Sequence, residues 1–309
     1  MNPETKATAQ QIKTICEKHG IEYRNHSRIT VGFNHELHRI NDDLVIKIYN
    51  VYGLDDGKRF RLESALLGSD VEFLKPQLIV SDDSRDIIDR DFIIMSYVPG
   101  KSLGSVWHLA SDNQRENLIK TICESLKLIN TLTMDAFSID VKQSWQDMIG
   151  DRLEAHVVRL LGKNVIDEQK ASQIRDYFDK NKEVLANSRL YPVFWDVHFD
   201  NFIVDGDFDL MAMIDLESVR MASLDYPLFV INKMMNVPKA YLSEEYEKFA
   251  DQADYVNLKK WYQRYYPEMF EVADLDARVQ IYMLLDTLHM LEDWPHIMSL
   301  FDELDERIS

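Results

Sequence analysis

The chain has 309 residues, 46% hydrophobic and 28% charged, which suits one large domain or two moderate ones and excludes a disordered chain. Its 53 acidic against 35 basic residues give a formal charge of −18, which argues against nucleic acid as a partner because that surface needs a basic footprint. Cys16 and Cys123 sit among apolar residues at helical spacing and read as buried thiols. The polar start MNPETKATAQQ is no signal peptide, and no apolar run reaches the roughly 18 residues a span needs, so no membrane is expected and the location is expected to be cytoplasmic.

In chain order, residues 4–19 predict a helix with Ile12, Ile15 and Cys16 on one face. The stretch SRITVGFNHELHRINDDLVIKIY predicts short strands, broken at Gly32-Phe33-Asn34 and again at Asn41-Asp42-Asp43, the second break being a hairpin signal. KRFRLESALLGSD predicts a helix ended by Gly68. PQLIVSDDSRDIIDRDFIIMSYVPG predicts two strands around a polar turn, stopping at Pro99-Gly100. Beyond Gly100 the pattern turns helical. Ser111 and Gln114 stand at capping-box spacing ahead of the stripe Leu118, Ile122, Leu126 and Ile129. Helices also fit 143–161 and 167–186. NFIV, a turn at Asp205-Gly206 and LMAMI predict a hairpin. From 224 to 309 the pattern is helical, punctuated by Pro227, Pro238, Pro267 and Pro295.

Polar residues of chemical interest interrupt these elements in one order. Lys47 stands mid-strand in LVIKIY, where it either snorkels to an exposed face or binds phosphate. Glu63, in the helix that follows, is either solvated or the ion-pair partner of Lys47. The turn VGFN has a single glycine, Gly32, and the N–H groups of Phe33 and Asn34 can face phosphates. In FIIMSYVPG the Ser96 carbonyl and Val98 N–H can meet a base edge, although an ordinary strand end fits equally well.

The stretch VFWDVHFDNFIVDGDFDLMAMIDLES, 193–218, sets seven acidic residues in an apolar and aromatic run. Asp196 and Asn201 have the D-x-x-x-x-N spacing of a kinase catalytic loop. Asp196 would then orient the attacking hydroxyl, and Asn201 would ligate a metal through its amide oxygen. Asp215, at a strand end, would bring a carboxylate to the same metal. Alone, the spacing is weak. Alternation equally puts Asp196, His198 and Asp200 on one solvated strand face, and Asp-x-His-x-Asp also suits a metal hydrolase. The order Lys47, Glu63, 96–98, Asp196/Asn201, Asp215 is what favours phosphoryl transfer.

With these residues in place, the chain resembles the aminoglycoside phosphotransferase family and the similar choline kinases, over nearly its full length. These are small-molecule kinases with a protein-kinase-like fold. The family's H-G-D-x-H-x-x-N, I-D-W/F-x and D-P stretches appear here as FWDVHFDN, IDLES and LDYP, and MSYVPG resembles its hinge. The resemblance implies an α+β, two-lobed fold: an antiparallel-sheet nucleotide-binding lobe at 1–98 and a helical catalytic and substrate lobe at 99–309. It implies Asp196 as base, Asn201 and Asp215 as Mg2+ ligands, Lys47 on the α- and β-phosphates and Glu63 behind it. By the same resemblance His198 orders the loop and Asp225 braces the helical lobe.

ATP or GTP and Mg2+ follow as cofactors, with a small-molecule hydroxyl as acceptor. An aminoglycoside or similar cationic amino-alcohol, and hence antibiotic resistance, fits the acid excess. YPEMFEVADLDAR and LEDWPHIMSLFDELDER can supply carboxylates, and Trp261, Tyr262, Tyr265, Tyr266 and Trp294 can stack on a cation, although solvated helix faces and core packing explain them as readily. The alternatives are a metabolite kinase of the choline, homoserine or sugar type and a nucleotide-binding regulator without turnover. Phe194-Trp195 replaces the usual His-Gly, which puts a bulky ring beside the base.

Overall fold

The computed structural model describes residues 6–30, 35–50, 57–133 and 143–309. Helix α1 (Ala9–Lys18) starts later than the periodicity predicts, because Thr8 and Gln11 close a reciprocal capping box there. It buries Ile12, Ile15 and Cys16 as expected. Strands β1 (His26–Ile29), β2 (Glu36–Ile40) and β3 (Leu44–Ile48) follow. The β2–β3 turn is the anticipated Asn41-Asp42-Asp43, with Asn41 at φ 53°, a left-handed conformation that asparagine tolerates well. Helix α2 (Lys58–Leu67), ended by Gly68, leads to β4 (Leu78–Asp82) and β5 (Phe92–Ser96). The five strands form one antiparallel sheet in the order β1-β2-β3-β5-β4.

Alternation along these strands separates two faces. Ile40, Ile46, Ile48, Phe92 and Ile94 form a small core with α1. Val45, Ile93 and Met95 face the other way and join a second core that continues through the helical remainder. Lys47, paired with Ile93, falls in the same alternation as Val45. The sheet therefore presents its central lysine to the side where the helices lie.

After β6 (Lys101–Ser102) come α3 (Leu103–Val106), α4 (Asp112–Asn130), α5 (Trp145–Gly162) and α6 (Glu168–Asn181). Ser111 and Gln114 make the predicted capping box of α4. A 3-10 turn at Lys182–Leu185 continues α6. Strands β7 (Tyr191–Phe194), β8 (Phe202–Val204), β9 (Leu210–Met213) and β10 (Val219–Ala222) form two small sheets, β10-β7 and β6-β8-β9. The β8–β9 turn is longer than Asp205-Gly206. Phe208 takes φ 66°, and the Asp205 carboxylate accepts from the Asp207 and Asp209 N–H groups. Helices α7 (Leu228–Asn236), α8 (Leu258–Tyr265), α9 (Leu275–Asp293) and α10 (Met298–Ile308) complete the chain. The fold is α+β, an antiparallel sheet followed by a mostly helical remainder.

Asp225, fully buried, receives Arg278 through two bonds of 2.7 and 2.9 Å and Tyr282 at 2.9 Å. Trp145 in turn donates to Tyr282, so one carboxylate ties α5, α9 and the end of β10 together. Trp261, Tyr262 and Tyr266 are core residues, which removes them as a platform for a ligand cation, and Trp294 is exposed. Both cysteines are buried thiols. Among the described residues no helix is long and apolar enough to cross a membrane.

Candidate active site

Three segments that are far apart in sequence converge on Lys47. Its strand gives it two hydrogen-bonded neighbours, β2 and β5, so its backbone is fixed. Helix α2 buries Phe60, Glu63, Leu66 and Leu67 on one side, so Glu63 occupies a position that helical spacing reserves for core. Lys47 Nζ donates to Glu63 Oε2 at 2.6 Å and to Asp215 Oδ1 at 2.7 Å. Glu217 Oε2 lies 3.3 Å away. Tyr49 also donates to Glu63 Oε2.

His35 holds Glu217 from the other side. Its Nδ1 accepts from the Asn50 N–H at 3.1 Å, which leaves the proton on Nε2 to be donated to Glu217 Oε2 at 2.6 Å. Burial alone would lower the Lys47 pKa, but the charges of Asp215, Glu63 and Glu217 outweigh it and raise it. Burial, together with the Asp215 and Glu217 charges, raises Glu63 against the opposing pull of Lys47. Glu217 goes down to about 2: burial pushes it up, but the His35 bond and the Lys47 charge prevail.

The 195–201 segment is not the strand face that alternation allows. β7 stops at Phe194 and a 3-10 turn forms at Phe199–Asn201. Asp196 and Asp200 consequently part. Asp200 Oδ1 accepts from Ser102 Oγ at 2.8 Å and lies so close to Gly104 that a Cβ there would meet it at 2.5 Å. This separation removes the Asp-x-His-x-Asp hydrolase reading.

Asn201 donates through Nδ2 to the Asp196 carbonyl at 2.8 Å, with His198 Nε2 at 3.2 Å. A carbonyl only accepts, so this bond fixes the amide orientation and turns Oδ1 the other way. His198 Nε2 is 3.5 Å from Asp196 Oδ2. Burial lowers the imidazole pKa, yet the bond and charge of Asp196 raise it on balance.

Asn201 also reaches the Lys47 cluster. Its carbonyl accepts the Ile214 N–H at 2.9 Å, and Phe202 pairs with Met213. Asp215 follows at φ 60° and ψ 44°, a left-handed conformation that a non-glycine residue adopts at a cost of about 1–2 kcal/mol. Such strain is concentrated at functional positions. Here it ends the run of β9 and brings Asp215 and Glu217 both to Lys47.

Lys47, Glu63, Asp196, Asn201 and Asp215 are thus linked through direct hydrogen bonds or through Asn201. Gly32, Phe33 and Asn34 lie outside the described residues. Ser96 ends β5, where its N–H goes to the Gln77 carbonyl and that of Tyr97 to the Asp43 carbonyl; Val98 follows directly. Glu217, Tyr49 and His35 belong to the cluster but were not singled out by spacing.

Oxygens of Glu63, Asp215 and Glu217 lie within 4.8 Å of one another. These carboxylates and the Asn201 amide oxygen are hard donors, a set that fits Mg2+. Three carboxylates around one ammonium also leave an excess of negative charge that a divalent cation can offset.

A family model described as "Phosphotransferase enzyme family" matches residues 36–259. No curated protein sequence matches the chain. Among solved structures, it is similar to ADP-bound aminoglycoside phosphotransferase APH(2'')-Ib, at 14% identity over 98% of this chain and 97% of that one, TM-score 0.68. The streptomycin-ATP ternary complex of APH(2'')-IIa aligns with the same identity, coverage and TM-score. A thermostable mutant of APH(4)-Ia in its apo form aligns at 15% identity over 96% and 95%, TM-score 0.63. At such identities these likenesses speak for the fold. The family match covers most of the chain and takes in Lys47, Asp196, Asn201 and Asp215, so the chain belongs to the phosphotransferase enzyme family and is a small-molecule kinase.

Proposed function

We propose that the protein moves the γ-phosphoryl group of ATP or GTP to a hydroxyl of a small molecule, in a cleft between a nucleotide-binding lobe at 1–98 and a catalytic lobe at 99–309. The observation that carries this is the Lys47 ammonium bonded to both Glu63 and Asp215, with Asn201 linking Asp215 to Asp196. Asp196 accepts the hydroxyl proton as the acceptor oxygen attacks the γ-phosphorus. The new P–O bond forms while the bond to the β–γ bridging oxygen breaks, and the nucleoside diphosphate leaves with the electron pair. Lys47, oriented by Glu63, offsets charge on the α- and β-phosphates.

Asn201 and Asp215 would hold Mg2+, which when bound supplies charge neutralisation for the phosphates. N–H groups at Gly32, Phe33 and Asn34 would cover the phosphates, and the Ser96 carbonyl and Val98 N–H would meet the base.

Two acceptor classes are supported by different observations. The acid excess, and the aminoglycosides bound by the similar solved structures, support a cationic aminoglycoside and a role in antibiotic resistance. A metabolite kinase with an anionic acceptor is favoured by the guanidinium of Arg220, which stands over the Trp195 ring beside Asp196 and forms no ion pair among the described residues. The decisive test is nucleotide consumption across a panel of aminoglycosides, choline, homoserine and sugars. Turnover with a hydroxylated acceptor is expected. Tight nucleotide binding with no turnover across such panels would point instead to a regulator.

A further inference from the structure

Near Asp196 stand two guanidiniums, Arg220 and Arg152, neither of which forms an ion pair among the described residues. Arg220 lies on β10 opposite Val193, and Trp195 directly follows the end of the partner strand β7 at Phe194. The Arg220 guanidinium stands 4.4 Å from the centre of the Trp195 ring, and Phe229 stacks on the same indole at 5.9 Å. Arg220 makes no hydrogen bond or ion pair among the described residues. Arg152, from α5, donates to the Tyr226 hydroxyl, and it too has no carboxylate partner among the described residues. The Trp195 Nε1 is a buried donor without an acceptor among the described residues.

The acid whose charge acts on Arg220 is Asp196, and other acids of the helical part are engaged by bases. Asp286 pairs with Lys233, Glu303 with Arg307, and Asp225 with Arg278. Burial, followed by the charge of Arg152, brings the Arg220 pKa down to about 10, while Asp196 acts in the opposite direction. The two arginines and Asp196 are thus close enough to sense one another. Arg220 is half-buried, so part of its hydration is lost, and stacking on an indole offsets only part of that cost. Its planar fork matches a carboxylate or a phosphate group.

We propose that Arg220, with Arg152 beside it, binds an anionic group on the acceptor, a carboxylate or a phosphate, and so turns a neighbouring hydroxyl toward Asp196. This rests on the phosphotransferase reading of the site and narrows its substrate class. A polycationic acceptor would bring its charge against two guanidiniums. An anionic one completes the only side-chain charges in this corner that lack a partner among the described residues. Trp195, where the family motif has glycine, then serves as the surface that holds the guanidinium flat.

The test uses the full chain and four probes: D-glycerate, glycerol 3-phosphate, glycerol and choline. Binding is measured by calorimetry without nucleotide, and turnover by nucleotide consumption. One anionic probe is expected to bind at least about tenfold more tightly than glycerol or choline, the difference a charge-assisted hydrogen bond commonly makes. Glycerate against glycerol 3-phosphate decides between carboxylate and phosphate. Arg220→Gln should remove that preference and Arg220→Lys keep part of it, with the loss falling on the acceptor KM and ADP affinity unchanged.

Three results overturn the proposal. In one, neither anion binds better than glycerol or choline. In another, choline is turned over and Arg220→Gln makes no difference. In the last, Arg220→Gln weakens ADP or ATP instead, which assigns the arginine to the nucleotide. Arg220-dependent anion binding without any nucleotide consumption would leave this proposal standing and count against phosphoryl transfer itself.

Discussion

Lys47 and Asp215 lie 168 residues apart in the sequence, and their side chains meet at 2.7 Å. That one bond joins the central strand of the large sheet to the turn after β9. Glu63 and Glu217 close on the same ammonium, at 2.6 and 3.3 Å. The lysine is therefore both the proposed phosphate contact and the cation that makes three crowded carboxylates tolerable.

Replacing it separates those duties. Lys47→Met should reduce kcat/KM by about 10²–10³-fold, the usual cost of losing one preorganised electrostatic group. It should also destabilise the fold by roughly 3–5 kcal/mol, because the carboxylates are left buried without their counter-charge. Denaturant unfolding and steady-state kinetics on the same preparation measure both. A variant that folds as stably as the parent would show that the cluster is not held together by Lys47.

Asp215→Asn makes the opposite separation. The amide keeps an oxygen acceptor for Lys47 and removes one of the mutually repelling charges, so the nucleotide-free protein should be unchanged or about 1 kcal/mol more stable, the range seen when a strained functional site is relaxed. Activity should fall steeply, and the rise in melting temperature on adding Mg2+ with nucleotide should shrink. Retention of the Mg2+ response would move the metal away from residue 215.

For Asp196→Asn the expectation is a loss of about 10³-fold or more in kcat with nucleotide affinity preserved, as removal of a member of a catalytic unit commonly costs that much. The Asn201 contact of this loop runs to the Asp196 backbone carbonyl, so the substitution leaves that bond in place and changes only the pairing of the carboxylate with His198. Unchanged nucleotide consumption with a productive acceptor would exclude Asp196 as the base.

Periodicity made the strands and most helices legible, since burial on one face writes itself into alternation or into 3.6-residue spacing. It missed the start of α1, where the local bond between Thr8 and Gln11 decides the end. The site was legible where residues keep a fixed spacing, as Asp196 and Asn201 do. It was not legible where a backbone kink redirects the chain. Glu217 is only two residues past Asp215, but nothing in the spacing shows that Asp215 adopts a left-handed conformation and turns Glu217 toward Lys47. His35 and Arg220 were invisible for another reason. Each acts through a partner brought by a distant segment, Glu217 for His35 and Trp195 for Arg220.

His198 gives a prediction that depends on pH. Burial alone would favour its neutral form, but the Asp196 carboxylate at 3.5 Å outweighs this and raises the folded-state pKa above the ordinary value of about 6.5. A raised pKa means that folding favours the charged imidazole. The stability gained from the pair is fully present below the unfolded-state value and disappears as pH rises through the higher folded-state value. Asp196→Asn removes the carboxylate responsible. The stability difference between the parent and this variant should therefore be larger at pH ~5.5 than at pH ~8.5, on either side of the imidazole range. Urea unfolding of both proteins at the two pH values measures it. A difference that stays flat, or that widens with rising pH, would show that the imidazole is not held in its charged form by Asp196.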